Sequence, residues 1–397
     1  MSAGAGASPD AGDAELGVYV HFPWCRARCP YCDFAIAVAP IPDIPHAAYA
    51  DAVIAELAAR APRFRPGRRL RSVYFGGGTP ALWHPDELGR VLRAVVSELG
   101  AASGALEVTV EANPHDCTPE RLARLARAGV TRLSVGAQSF DDGELVTLGR
   151  DHDAGGARAA VRAVREAGFS SFSLDLIVAL PGRNVRDLGR TLDEALALAP
   201  PHLSVYQLTV EPGTPLHEAV RSGRVTPAPD DDAADQLTLV DARLTAAGWE
   251  HYEVSSFAQP GFRAVHNSLY WRGAEYLGLG SGAHSFWRPE PGRGTRWSSH
   301  RSVKTWLAAR PGSSVDALAA DPLIAEVIEQ DAVALAKDAL WLGLRTADGV
   351  PRALAAHAED RLARLAAAGF VTVDDARVRP TARGLLHADG LGGFLLG

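Results

Sequence analysis

Six short runs rich in β-branched and aromatic residues recur along the first 210 positions: VYVHF (18–22), SVYFGG (72–77), LEVTVEANP (106–114), RLSVGAQSF (132–140), FSLDLIVALPG (172–182) and HLSVYQLTV (202–210). Between them, apolar residues return at helical spacing, as in PDELGRVLRAVVSEL (85–99) and PERLARLARAGV (119–130). Thr118-Pro119 supplies an N-cap followed by proline at the first helical position, a helix start signal. Strands alternating with helices in this way predict right-handed βαβ units and a parallel sheet. A barrel and an open doubly wound sheet both satisfy that pattern. Cys25, Gly77, Glu111, Gln138 and Asp175 each fall at or just after the carboxyl end of a run, where ligand sites gather in either architecture. Six strands contributing to one face favour a curved sheet, a partial barrel.

The pattern changes after residue 250. HNSLYWRGAEYLGLGSGAHSFW (266–287) is aromatic and glycine-rich, and RPEPGRGTRWSSH (288–300) reads as a loop. From about residue 322 helical periodicity returns, interrupted at 370–380 by a strand-turn-strand with DDAR as its turn. Helix, wing and helix in that order suggest a winged-helix-like domain. The expected division is a disordered tail over 1–15, a partial barrel over 16–250, a substrate-proximal segment and linker over 251–320, and a mostly helical domain over 321–397.

Composition narrows the partners. A chain of 397 residues exceeds one ordinary core, in keeping with a large and a small domain. The formal charge is −7, and Lys304 and Lys337 are the only lysines. The arginines of the winged-helix-like region are interspersed with acids, so no nucleic acid is expected as partner. No run of eighteen apolar residues offers a membrane span. The start, MSAGAGASPDAGDAELG, has neither the basic nor the apolar segment of a signal peptide. A cytoplasmic location is the expectation, and there clustered cysteines more often bind metal than pair as disulfides.

Three of the four cysteines, Cys25, Cys29 and Cys32, stand within HFPWCRARCPYCDF (21–34). A zinc site would need a fourth ligand, His21 or Cys117. A redox pair would use Cys29-Pro-Tyr-Cys32. An iron–sulfur cluster on three thiolates would leave one iron with an open position. The spacing C-x3-C-x2-C directly after a first strand points to the third. FGGGTP (75–80) follows the second strand, and glycines there let backbone approach a ligand closely.

This cysteine spacing with a glycine-rich turn after the second strand resembles the radical S-adenosylmethionine (SAM) enzymes. From about Gly17 onward the chain resembles the oxygen-independent coproporphyrinogen III oxidase-like family within them. The resemblance implies an α/β fold, a radical-SAM partial (β/α)6 barrel with a winged-helix-like C-terminal domain. It implies a [4Fe–4S] cluster on Cys25, Cys29 and Cys32, with SAM chelating the unique iron. Gly77, Gly78 and Thr79 match the turn over the methionyl amino group, and Tyr19, Glu111, Gln138, Arg150 and Asp175 match further SAM positions. In physical terms Glu111 and Asp175 can bind an amino group or ribose hydroxyls, and Arg150 can pair with a carboxylate. Trp24 and Tyr31 would either shelter the cluster or simply pack in the core.

Two functions are known in that family. The oxidase branch, which decarboxylates porphyrinogen propionates, usually extends the motif to C-x3-C-x2-C-x-C, and here the last position is Phe34. His266 to Trp271 matches the HNxxYW segment of the heme-chaperone branch, in which the histidine is implicated in heme attachment. A neutral imidazole suits heme iron, and Tyr270 and Trp271 offer flat apolar surface. His284 is a second candidate ligand. The resemblance thus implies a heme chaperone that passes heme to acceptor proteins, membrane-associated hemoproteins among them, with the oxidase as the alternative. Cys117 reads as an incidental loop thiol, and Ala179 stands where glycine is commoner in the LPG turn.

Overall fold

The computed structural model describes residues 14–65, 67–100, 106–312 and 318–397. Six parallel strands, Ala14–Phe22, Arg68–Gly77, Glu107–Ala112, Arg132–Gln138, Ser171–Val178 and His202–Gln207, lie side by side in chain order. Their apolar residues meet in register: Val73 pairs with Val18 and Val108, Leu133 with Val110 and Phe172, and Leu174 with Leu203. Such continuous apolar runs suit strands covered on both faces. Four helices supply the outer cover through Leu88, Val91 and Val95 of Pro85–Leu99, Leu122 and Leu125 of Pro119–Ala128, Val161 and Val164 of Ala154–Glu166, and Leu188 and Leu192 of Val185–Leu198. Thr118, Asp153 and Asn184 cap three of those helices by accepting backbone N–H bonds, as their residue types predict.

The sheet does not stop at six strands. Beyond the sixth, the antiparallel pair Ser256–Ala258 and Glu250–Glu253 is added. Beyond the first come Glu275–Leu279, parallel to it, and then antiparallel His284–Trp287, Gly294–Ser299 and Ile324–Gln330, making twelve strands in all. Two sequence expectations change here. The stretch 288–300 is not all loop: Gly294–Ser299 is a strand, and its Trp297 is buried with its ring tilted against Phe64 at 6.2 Å. The helix expected from 322 begins only at Ala332, where Asp331 accepts the Ala334 N–H at 2.8 Å. Before it, Ile324 and Val327 pair with Ser299 and Trp297, so the sheet edge claims this β-branched segment. Residues 324–330, inside the region expected as the C-terminal domain over 321–397, thus form a strand of the large sheet.

A second core, including Leu340, Leu344, Val350, Leu362, Val378 and Leu395, gathers the C-terminal region. Its wing is Val371–Val373 against Arg377–Pro380, and Asp374 closes the turn by accepting the N–H groups of Ala376 and Arg377. Of the tail expected over 1–15, residues 1–13 lie outside the described residues, whereas Ala14 and Glu15 belong to the first strand. Among the described residues no helix is long and apolar enough to cross a membrane.

Candidate functional site

At the carboxyl end of the first strand the chain passes through Trp24–Cys25, which pairs with Ala37–Val38 and closes the base of the cysteine loop. The second strand's glycine turn is fastened to that base: Gly78 N–H donates to Phe22 O at 2.8 Å and Thr79 N–H to Trp24 O at 2.9 Å. Glycine is required because Gly77 has φ +112° and an added Cβ would lie 2.4 Å from the His21 ring. At Gly78 a Cβ would lie 2.6 Å from Trp24 O. The room expected for a ligand at these glycines is, on the Cβ side, taken by the loop itself. Trp24 is buried against Phe22 and Tyr49, so core packing accounts for it.

Cys25, Cys29 and Cys32 are free, half-buried thiols on one loop. Among the described residues no three His, Cys, Asp or Glu side chains already converge as a metal-binding group. A polar chain nevertheless reaches two of the sulfurs. Thr79 donates to Cys25 Sγ at 3.6 Å, Asn113 donates to Thr79 at 3.3 Å, and Arg150 donates both to Asn113 and, at 3.4 Å, to Cys29 Sγ. Arg26 anchors the loop from outside through Asp116 at 2.7 Å. Asn113 was not singled out in the sequence; its signal was its position in VEANP, two residues past Glu111 at the end of the third strand. Burial pushes the Cys25 thiol up to about 11, against the Thr79 hydrogen bond, and also raises Cys32. Metal binding here must therefore displace protons.

The donor set fits a cluster on three thiols better than zinc. His21, one possible fourth ligand, uses both ring nitrogens: Nδ1 pairs with the Tyr19 hydroxyl at 3.0 Å and Nε2 with Ala35 O at 2.9 Å. Cys117, the other, is buried and donates to Asn113 O.

Two carboxylates stand on the third and fifth strands with the fourth between them, Glu111 near its strand's end and Asp175, expected at a strand end, inside its strand Ser171–Val178. Glu111 accepts from Tyr74 at 2.8 Å and from Gly77 N–H at 3.0 Å, and burial pushes it up to about 7 despite those bonds. Asp175 accepts from Ser134 at 2.8 Å and Ser173 at 2.9 Å, and burial raises it too. Gln138 sits at φ +65° where the pairing of the fourth and fifth strands slips, a strained backbone at the same sheet end.

A cavity of about 440 Å³ opens above the first three strands, lined by Tyr19, Gly77, Glu111, Phe34, His266 and His284 among others. Its volume lies in the range of small-molecule sites. Gly78, Thr79 and Arg150 lie toward the cysteines, and Gln138 and Asp175 stand outside the lining. Phe34, 63% exposed, forms part of the rim. His266 is held on the helix Val265–Trp271, whose first N–H groups Glu107 captures at 3.0 and 2.9 Å. Its ring stacks on Tyr74 at 5.0 Å, and burial lowers it to about 3, so it is neutral. Both of its nitrogens are engaged, Nδ1 with Ser72 at 2.8 Å and Nε2 with Tyr270 at 2.9 Å. His284 is exposed at the same cavity.

Comparison with known proteins bears on the family and the fold. The Radical SAM superfamily profile matches residues 19–195. The chain is 38% identical over 386 residues to the heme chaperone HemW of Mycobacterium tuberculosis, covering 96% of this chain and 95% of that one. It is also 38% identical over 296 residues to HemW of Escherichia coli K12, covering 74% and 76%. Among solved structures, the coproporphyrinogen III oxidase HemN of Escherichia coli superposes with a TM-score of 0.78 over 97% of this chain and 90% of that one. At 22% identity that likeness speaks to fold alone.

Proposed function

The chain belongs to the HemW branch of the radical SAM superfamily, and on that premise we propose that it binds heme and hands it to acceptor proteins. The observation that carries this reading is the shared cavity: His266 stands in one wall, and the chain just past Cys32 forms another. Phe34 supports the same reading, since it stands where the oxidase branch usually carries a further cysteine.

Cys25, Cys29 and Cys32 would hold a [4Fe–4S] cluster, which when bound supplies one-electron chemistry toward SAM. Arg150 is poised to pair with a ligand carboxylate beside Cys29, and Glu111 and Asp175 to accept from an amino group or ribose hydroxyls. Tyr19, Gly77, Gly78, Thr79 and Gln138 complete the SAM-holding set by shaping the strand ends. His266 offers a neutral imidazole to heme iron. The acceptors would be hemoproteins, membrane-associated ones among them, and free thiols suit a reducing, cytoplasmic setting.

The test is anaerobic incubation of cluster-replete protein with SAM and either coproporphyrinogen III or heme plus an apo-hemoprotein. The expected result is heme transfer without protoporphyrinogen formation. Protoporphyrinogen formed with consumption of SAM would make the chain an oxidase instead.

A further inference from the structure

Tyr270 borders two cavities at once. One is the inner cavity containing His266. The other, about 420 Å³, lies on its far side and is walled by Tyr276, Phe286, Arg296, Trp341 and Leu342. This outer cavity separates the sheet-edge strands from the first helix of the C-terminal domain, Ala332–Gly343. The Tyr270 ring meets His266 edge-on at 4.9 Å and Tyr276 edge-on at 4.6 Å. Tyr276 lines both spaces too, so the two rings stand together between them, with Tyr270 the one that touches the imidazole.

The same residue closes the imidazole chemically. A neutral histidine coordinates metal through a nitrogen lone pair, and hydroxyls occupy both His266 nitrogens. One hydroxyl must leave before iron can bind. Ser72 is fully buried inside the second strand and has nowhere to go. Tyr270 occupies the last turn of a seven-residue helix, which Gly273 terminates at φ +64°, and it has open volume behind its ring.

We propose that Tyr270 is a gate on His266: its hydroxyl holds Nε2 by a hydrogen bond, and its ring swings toward the outer cavity to admit heme. The proposal rests on His266 being the heme ligand. It makes Tyr270 a positioning residue, and it couples heme entry to the packing of the C-terminal helix that carries Trp341 and Leu342.

Hemin binding by wild type, Tyr270→Phe, His266→Ala and the double variant, followed by absorbance and stopped flow, tests it. Tyr270→Phe keeps the ring and removes the cap. It is expected to bind hemin faster and about threefold to tenfold more tightly, the worth of one net hydrogen bond. The double variant is expected to lose that gain. Without heme, peptide-resolved carbethoxylation of His266 should accelerate in Tyr270→Phe, while its cluster iron content stays at the wild-type level. Wild-type hemin kinetics and wild-type labelling in Tyr270→Phe would overturn the gate, and loss of heme by His266→Ala in the same experiment would leave the heme reading standing. Undiminished binding by His266→Ala would overturn both.

Discussion

The chain just past the cysteine loop and the helix Val265–Trp271 line one cavity, and the loop's thiols and the helix's imidazole are held in opposite ways. The thiols are half-buried on a loop clamped at its base, and their contacts come from Thr79, in the turn after the second strand, and Arg150, in the loop after the helix Asp142–Thr147. The imidazole is buried, stacked on Tyr74, and bonded at both nitrogens. An open loop takes its final shape from the group it binds, whereas a satisfied imidazole must first be released. On the proposed function, one region would hold a resident cofactor and the other would take up and give back a cargo.

The largest expected effect is on the loop. Cys25→Ser or Cys29→Ser should abolish cluster iron after anaerobic reconstitution, measured by iron and sulfide analysis, while Cys117→Ser should leave it unchanged. Retained iron in the first two would break the contrast at its open end. Next comes Arg150→Ala, which removes the donor to Cys29 and Asn113. Its SAM affinity, read by calorimetry on cluster-replete protein, should fall by about tenfold to a hundredfold, the scale of one or more charge-assisted bonds. An unchanged affinity would place the SAM carboxylate elsewhere.

A pH series sharpens the role of Glu111. Burial raises its carboxyl from the ordinary 4.5 to about 7. Binding an ammonium group needs the carboxylate, so SAM affinity should weaken as pH falls below about 7, and Glu111→Gln should flatten that dependence. The stability of the ligand-free fold runs the other way. With a raised folded pKa, the contribution of this group is fully present below about 4.5 and is lost as pH rises through about 7. Denaturant titrations of wild type and Glu111→Gln across that window check the sign.

The smallest effect belongs to neither region and calibrates both. Ala179 ends the fifth strand's turn at φ +58°, a conformation that costs an L-residue about 1–2 kcal/mol. Glycine's greater chain entropy offsets part of that. Ala179→Gly should raise unfolding stability by less than about 1 kcal/mol in a denaturant titration, with ligand binding unchanged. The sequence marks this alanine as a departure from the commoner glycine, and the backbone gives the reason glycine suits the position.

What was legible in the sequence was local. The six parallel strands announced themselves because each β-branched run is bounded by turn residues and followed by a helix with its own start signal. Cys25 and Glu111 were visible because polar residues near strand ends interrupt those runs, and Asp175 because it breaks the apolar run of the fifth strand from within. The edge strand Ile324–Gln330 was hidden because Ile324, Val327 and Ile328 also fit a helical face. Only pairing with the distant strand Gly294–Ser299 selects the strand. The closure of His266 was hidden for a like reason: Ser72 lies 194 residues away and meets the ring only when the helix packs on the second strand. Asn113 was overshadowed by Glu111 beside it.

The central claim is that one cavity joins a cluster loop to a separate heme ligand. Hemin titration of cluster-replete wild type and His266→Ala, with iron and SAM binding measured on the same samples, tests it most directly. The account predicts that His266→Ala loses hemin affinity by about tenfold or more while keeping its cluster and its SAM binding. Hemin binding as tight as wild type would contradict it and would direct attention to His284.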